Sequence, residues 1–289
     1  MPVRGVLPFY GGDVANSIGD FLAPAGYHQP GALSLVRELS VWPEAGRAIR
    51  RSLADKRELL GTPYVSRAPQ RSIEPVLLVP GFLAGDYTLR LMAHTLRRHG
   101  YRTYRSHIHT NVSCLTTNAA LLERRLEAIA TKRDSRVRIV GHSLGGMLAR
   151  GLAVRRPDLV SGIITMGSPM MAPGTAHPLL LGAADVLVRL NQVGVPGVMG
   201  ESCVRGDCAR SAWHESRQPI PSGVDFTCIW SAGDGLVDPA SCVDPLATSI
   251  EVHASHIGMA IDPRVADHVV AELAAQRRTT RAAAPADTA

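Results

Sequence analysis

The chain has 289 residues, enough for one large domain or two small ones with a substantial buried core. Hydrophobic residues make up 45% and charged residues 19%, which excludes an intrinsically disordered chain, and 4% aromatics argue against a base-stacking nucleic-acid surface. The net charge is +6, yet of 31 basic residues only Lys56 and Lys132 are lysine. With so much Ala, Gly and Pro, that bias reads as GC-rich coding, and no nucleic-acid partner is expected.

The opening Met1-Pro2-Val3-Arg4-Gly5 lacks the apolar core of a secretory signal. The longest uncharged stretch, 159–184, is broken by Pro169, Pro173 and Pro178, so it is not read as a membrane span. A cytoplasmic or peripheral-membrane location is expected. Residues 1–30 read as irregular. Leu35, Val36 and Leu39 follow helical spacing, and Pro43 can open a second helix carrying Ile49 and Leu53 among Arg47, Arg50, Arg51 and Arg57, closed by Gly61-Thr62-Pro63. This extension, 1–74, is either a helical appendage packed on the main domain or a basic amphipathic surface for anionic lipid.

The main domain is expected at 75–276. Pro75–Val79, Tyr101–Ser106, Val137–Val140 and Val160–Met166 read as strands alternating with helices around Leu89–Leu96, Ala119–Ile129 and Leu144–Arg156. That alternation predicts an α/β fold with a mostly parallel sheet flanked by helices. It stops at 169–222, an insertion with one apolar helix over Leu179–Leu190 that reads as a lid or cap, or equally as core. The sheet resumes at Phe226–Trp230 and Ser249–Val252, and a last helix spans Pro263 to Gln276. The tail, 277–289, is expected to be disordered.

One motif dominates the chemistry. Gly141-His142-Ser143-Leu144-Gly145 is G-x-S-x-G, directly after a buried strand and directly before a helix. A serine raised on so sharp a turn leaves room only for small residues two positions either side. The helix behind it aims unpaired N–H groups and its positive dipole end at the site. Serine is a poor nucleophile without a base, and the fold that uses this elbow orders its triad Ser, then Asp or Glu, then His. Asp234 and His256 follow in that order, each just past a strand end. Asp238 fits the order too and is a rival acid, though it also suits a structural place before Pro239.

From Pro75 to about Gln276 the chain resembles the α/β-hydrolase superfamily, and within it bacterial lipases and esterases. The resemblance rests on Val79-Pro80-Gly81-Phe82, with Pro80 where those lipases carry histidine; on Gly141-His142-Ser143-Leu144-Gly145-Gly146; on Gly167-Ser168-Pro169; and on the loops Asp234-Gly235-Leu236-Val237 and Ser255-His256-Ile257-Gly258. It implies an α/β-hydrolase fold with Ser143 as nucleophile, His256 as base, Asp234 as acid, and the N–H groups of Phe82 and Leu144 as the oxyanion hole. The substrate implied is a small-molecule or lipid acyl ester, and the chemistry needs no cofactor. Acyl transfer and thioester or phospholipid cleavage share the machinery. A non-catalytic binding protein on the same fold is the reading from another class.

The remaining histidines have quieter explanations. His142 packs or hydrogen-bonds locally, His253 lies at a strand end, and His107 and His109 lack a third metal ligand. No metal site is expected: Cys203, Cys208 and His214 form only half of a zinc pattern. Cys203 and Cys208 could form a local bridge or stay reduced, and pairing of Cys228 with Cys242 is likewise open.

Overall fold

A computed structural model describes residues 21–61 and 74–283. The first two-thirds of the irregular opening, the segment after Gly61 and residues 284–289 therefore lie outside the described residues. Six strands form one parallel sheet in the order β2-β1-β3-β4-β5-β6: β1 (Val76–Val79), β2 (Thr103–Arg105), β3 (Val137–His142), β4 (Val160–Met166), β5 (Asp225–Trp230) and β6 (Thr248–Glu251). All five pairings are parallel, as the strand–helix alternation predicts. β1, β3 and β4 are buried along their whole length, which is why they read as continuous apolar runs and not as alternating ones.

Apolar side chains fill both faces. On one, Leu89, Met92 and Leu96 meet Val269 and Leu273 of the last helix; on the other, Leu122, Leu126 and Ile129 meet Leu148 and Leu152. Leu89 directly precedes α2 (Arg90–Arg98), and the others belong to α2, α9 (Pro263–Ala283), α3 (Leu115–Arg133) and α4 (Leu144–Arg155). α9 continues past Gln276, so the tail expected from 277 begins as helix. The short α8 (Gly258–Ile261) immediately precedes α9.

The extension folds as a 3₁₀ segment, Ala32–Ser40, running into α1 (Val41–Gly61). α1 opens two residues before Pro43, so the proline sits within the first turn, where its missing N–H costs nothing. α1 packs on α8 and α9. The insertion between β4 and β5 holds α5 (Pro178–Gln192), as expected, and also α6 (Glu201–Val204) and α7 (Asp207–Ser216), which the turn-rich sequence concealed. No described helix is long and apolar enough to cross a membrane.

Candidate active site

Ser143 stands between β3 and α4 with φ 52° and ψ −123°, a conformation that L-residues avoid. Its backbone N–H donates to the Met166 carbonyl of β4 at 2.8 Å, which pins the turn to the next strand. The flanking glycines are steric requirements. A Cβ on Gly145 would overlap the Val79 carbonyl, and one on Gly141 would overlap Gly145 and Gly146. Leu144 opens α4, so its N–H precedes the helical ladder and points out of the helix start.

The other two predicted residues meet directly. His256 Nδ1 lies 2.6 Å from Asp234 Oδ2, and both side chains are buried. The second carboxylate oxygen of Asp234 accepts the N–H groups of Leu236 and Val237 at 2.8 and 2.9 Å, fixing its orientation. Gly167, directly after Met166, leaves the space this pair fills: a Cβ there would stand 3.1 Å from His256 Nδ1 and 3.3 Å from Asp234 Oδ2. Ser143 follows β3, Asp234 follows β5 and His256 follows β6, and the carboxyl ends of these strands bring the serine turn beside the pair.

Asp238 faces elsewhere. It caps the 3₁₀ turn Pro239–Cys242 through the Ala240 N–H and accepts the His28 N–H at 2.9 Å. His142 donates through Nε2 to the His256 carbonyl at 2.9 Å. Burial and the neighbouring His256 charge depress its pKa to about 3, so it stays neutral, consistent with a local role.

Residues 115–190, from α3 through the serine turn to α5, match the family profile described as alpha/beta hydrolase fold. The mature form of the Bacillus licheniformis lipase BlEst2 aligns with a TM-score of 0.56 at 16% identity, covering 74% of this chain and 96% of that one. The fold is that of the α/β-hydrolases. The pyrethroid hydrolase PytH aligns with a TM-score of 0.51 at 16% identity over 71% of this chain and 99% of its own.

On this α/β-hydrolase scaffold the N-terminal extension does something its periodicity did not reveal. Glu38 is buried, and its Oε1 accepts the N–H of Gly235 and the N–H of His256, each at 2.9 Å; its Oε2 accepts the Ile257 N–H at 3.2 Å. Glu44, 1% exposed, accepts the N–H and hydroxyl of Ser255 at 2.8 and 2.6 Å. One glutamate therefore bridges the acid loop to the histidine loop, and a second anchors the residue before the histidine. Their partners lie some two hundred residues away, so nothing local in the sequence marks either glutamate.

The electrostatics follow from this packing. Burial disfavours the imidazolium of His256, but the charge and hydrogen bond of Asp234, with the Glu38 charge behind it, outweigh burial and raise its pKa above the usual 6.5. A histidine acting as base must be neutral, so a raised pKa moves the acid limb of kcat/KM to higher pH. Glu38→Gln removes one raising charge and sets an amide donor among three N–H groups. The expected result is an acid limb displaced to lower pH together with a loss of kcat of up to about 10²-fold from loop misplacement. A lowered kcat with an unmoved limb would reduce Glu38 to a structural strut.

The segment Val79–Phe82, expected to supply an oxyanion N–H, is held as tightly. Buried Asn111 donates to the Pro80 carbonyl at 2.9 Å and accepts from Asn118 at 2.8 Å, while the Leu83 N–H donates to the Asn111 carbonyl. Phe82 follows Pro80-Gly81 on this clamped loop and lines the same cavity as Ser143 and Leu144.

That cavity is about 800 Å³. Its walls are largely apolar: Met147 and Leu148 of α4, Leu180, Leu181 and Ala184 of α5, and Trp213 of α7. The leucines of this apolar helix divide. Leu180 faces the cavity, Leu187 is buried away from it, and Leu190 is exposed. Leu187 lies at nearly the azimuth of Leu180 but about 10 Å further along the axis, beyond the cavity, while Leu190 is also rotated by about 80°.

Proposed function

We propose that the chain is a serine hydrolase of carboxylic esters with apolar acyl groups. The observation that carries this reading is the buried Asp234–His256 contact beside a strained serine at the floor of an apolar cavity. Ser143 Oγ attacks the acyl carbonyl as His256 Nε2 takes its proton. The oxygen that gains charge is met by the N–H groups of Phe82 and Leu144. The tetrahedral species collapses with loss of the alcohol, which leaves with the proton from His256, and an acyl-enzyme remains on Ser143. Water, deprotonated by His256, then releases the acid and restores the serine. Asp234 holds the imidazole tautomer and offsets its transient charge.

The cavity supports a greasy acyl group, and the cap built from α5 and α7 supports its shielding from water. Along α5, Leu179, Val186, Leu190 and Val193 present apolar side chains to solvent at helical spacing, which supports contact with a lipid surface. A second such stripe, Trp42, Ile49 and Leu53 on α1, supports the lipid-facing reading of the extension.

The test is a panel of p-nitrophenyl esters of graded acyl length beside a serine-reactive phosphonate. Turnover rising with chain length is expected. Labelling without ester turnover would redirect the reading to acyl transfer or thioester cleavage, and no labelling would favour a binding protein. Ala184→Trp narrows the cavity where α5 lines it. Losing contact with two or three methylenes, at about 0.8 kcal/mol each, lowers kcat/KM for a long-chain ester roughly 10–60-fold while a short-chain ester is turned over as before. Equal losses on both would mean that the acyl chain lies elsewhere.

A further inference from the structure

Three of the five cysteines converge at one edge of the cap. Cys114 immediately precedes α3, Cys203 lies on α6 and Cys208 on α7, and their sulfurs all lie within 4.8 Å of one another. All five cysteines are free thiols, so the local bridge considered for Cys203 and Cys208 is not formed. The partner these two acquire is Cys114, about ninety residues earlier, and not His214. From this convergence we propose a thiolate site for a d¹⁰ metal ion of the zinc type, pinning the cap to the hydrolase core.

Three observations carry the assignment. The first is number. A disulfide uses two sulfurs and strands the third, whereas a metal takes all three. The second is spacing. With Zn–S bonds of about 2.3 Å, three thiolates sit roughly 3.8–4.0 Å apart around the ion. The Cys114 and Cys208 sulfurs lie 3.3 Å apart, and the set needs only a small opening to reach that geometry. The third is backbone preparation. The Met199 N–H donates to the Val112 carbonyl at 2.8 Å and the Ser113 hydroxyl donates to the Gly197 carbonyl at 2.7 Å, so cap and core are already joined one or two residues before Cys114. The N–H of Cys208 donates to the Ser202 hydroxyl and that of Cys203 to the Gly200 carbonyl. The cysteine backbones are thus fixed before any ion arrives.

The surroundings complete the picture. The Thr116 hydroxyl stands 3.1 Å from the Cys114 sulfur and 3.6 Å from that of Cys208, which supplies an outer hydrogen bond for a thiolate. The sulfurs are half-buried, so an ion can enter and its fourth position falls to water. On binding, each thiol releases its proton to solvent as its sulfur lone pair takes the metal, with no change of oxidation state. Cys203 also lines the acyl cavity, so the site sits on the cavity wall, distinct from Ser143, Asp234 and His256. Its existence does not depend on the proposed ester hydrolysis.

The test uses the whole chain, reduced and stripped of metal, and adds Zn²⁺ alone against a chromogenic chelator. The expected result is one tightly held equivalent with proton release and a rise in Tm. Co²⁺ in its place should show the strong visible bands of a tetrahedral thiolate complex. Cys114→Ser, Cys203→Ser and Cys208→Ser, checked for native circular dichroism, should each weaken Zn²⁺ binding by at least the roughly 10–100-fold that loss of an outer-shell partner costs. Because half-buried thiols tolerate serine, at least one variant is expected to fold; if none does, loss of the Co²⁺ bands after alkylating the thiols of the native chain gives the same answer. No uptake, uptake unchanged by the substitutions or alkylation, or a Cys114–Cys208 disulfide that persists in reducing buffer would each overturn the proposal.

Discussion

Ser143→Ala is expected to lower kcat for ester hydrolysis by about 10⁴–10⁶-fold and to abolish phosphonate labelling, with the fold retained. The substitution removes one oxygen from a residue that is 9% exposed and whose hydroxyl makes no hydrogen bond among the described residues, so stability should scarcely change. What remains after the nucleophile is gone is binding and the oxyanion hole, which in triad enzymes still leave some acceleration over water. The measurement is single-turnover kinetics on a p-nitrophenyl ester together with a thermal melt. Retention of more than a trace of turnover by purified protein would falsify the assignment of Ser143, and a melt far below wild type would mean that the strained turn depends on the hydroxyl.

Asp234→Asn is expected to cost about 10⁴-fold in kcat, the penalty seen when an amide holds the imidazole in the wrong tautomer. Asp238→Asn should leave kcat within a few-fold. The two are separated by what each carboxylate touches. Asp234 reaches His256 Nδ1 and two loop amides, while Asp238 caps a 3₁₀ turn and receives the His28 N–H. Asparagine keeps the acceptor oxygen of that cap, so Asp238→Asn should also leave Tm nearly unchanged, whereas Asp238→Ala loses the cap at about 0.5–2 kcal/mol. The two Asn variants should therefore split cleanly in kcat. A larger kcat loss at Asp238 would reverse the choice of acid.

Most of the scaffold was legible in the sequence because its signals are local. Buried parallel strands read as short apolar runs, and the serine turn carries its own glycines. The acid and histidine stand just past strand ends, where a parallel sheet gathers its loops. What escaped was set by contacts distant in sequence. Glu38 carries no local signal, and only the fold shows it accepting amides from the loops of Asp234 and His256. Asn111, in a stretch of polar residues, gave no sign that it clamps the Pro80 carbonyl. Arg138 and Arg150 sit in apolar patterns and are 1% exposed, neutralised by Glu74, Asp225 and Asp244. Their ion pairs join residues far apart in sequence, which periodicity cannot register. α7 was missed for the opposite reason: it is short and polar, and its apolar contacts are made by Ala209 and Trp213 against the cap interior.

The glutamate clamp also sets an order in time. During synthesis Glu38 leaves the ribosome more than two hundred residues before Ile257, and at about 5–20 residues per second that interval is tens of seconds at the slow end. Through this interval the acid and histidine loops do not exist for it to hold. β1, β3 and β4, with α3 and α4 between them, can assemble earlier, yet the nascent chain lacks the two loops that complete the arrangement around Ser143. On the proposed reading reactivity arrives last, when the loop carrying His256 folds back onto Glu38, and a translation product truncated before it should be inert toward esters however well its sheet has formed.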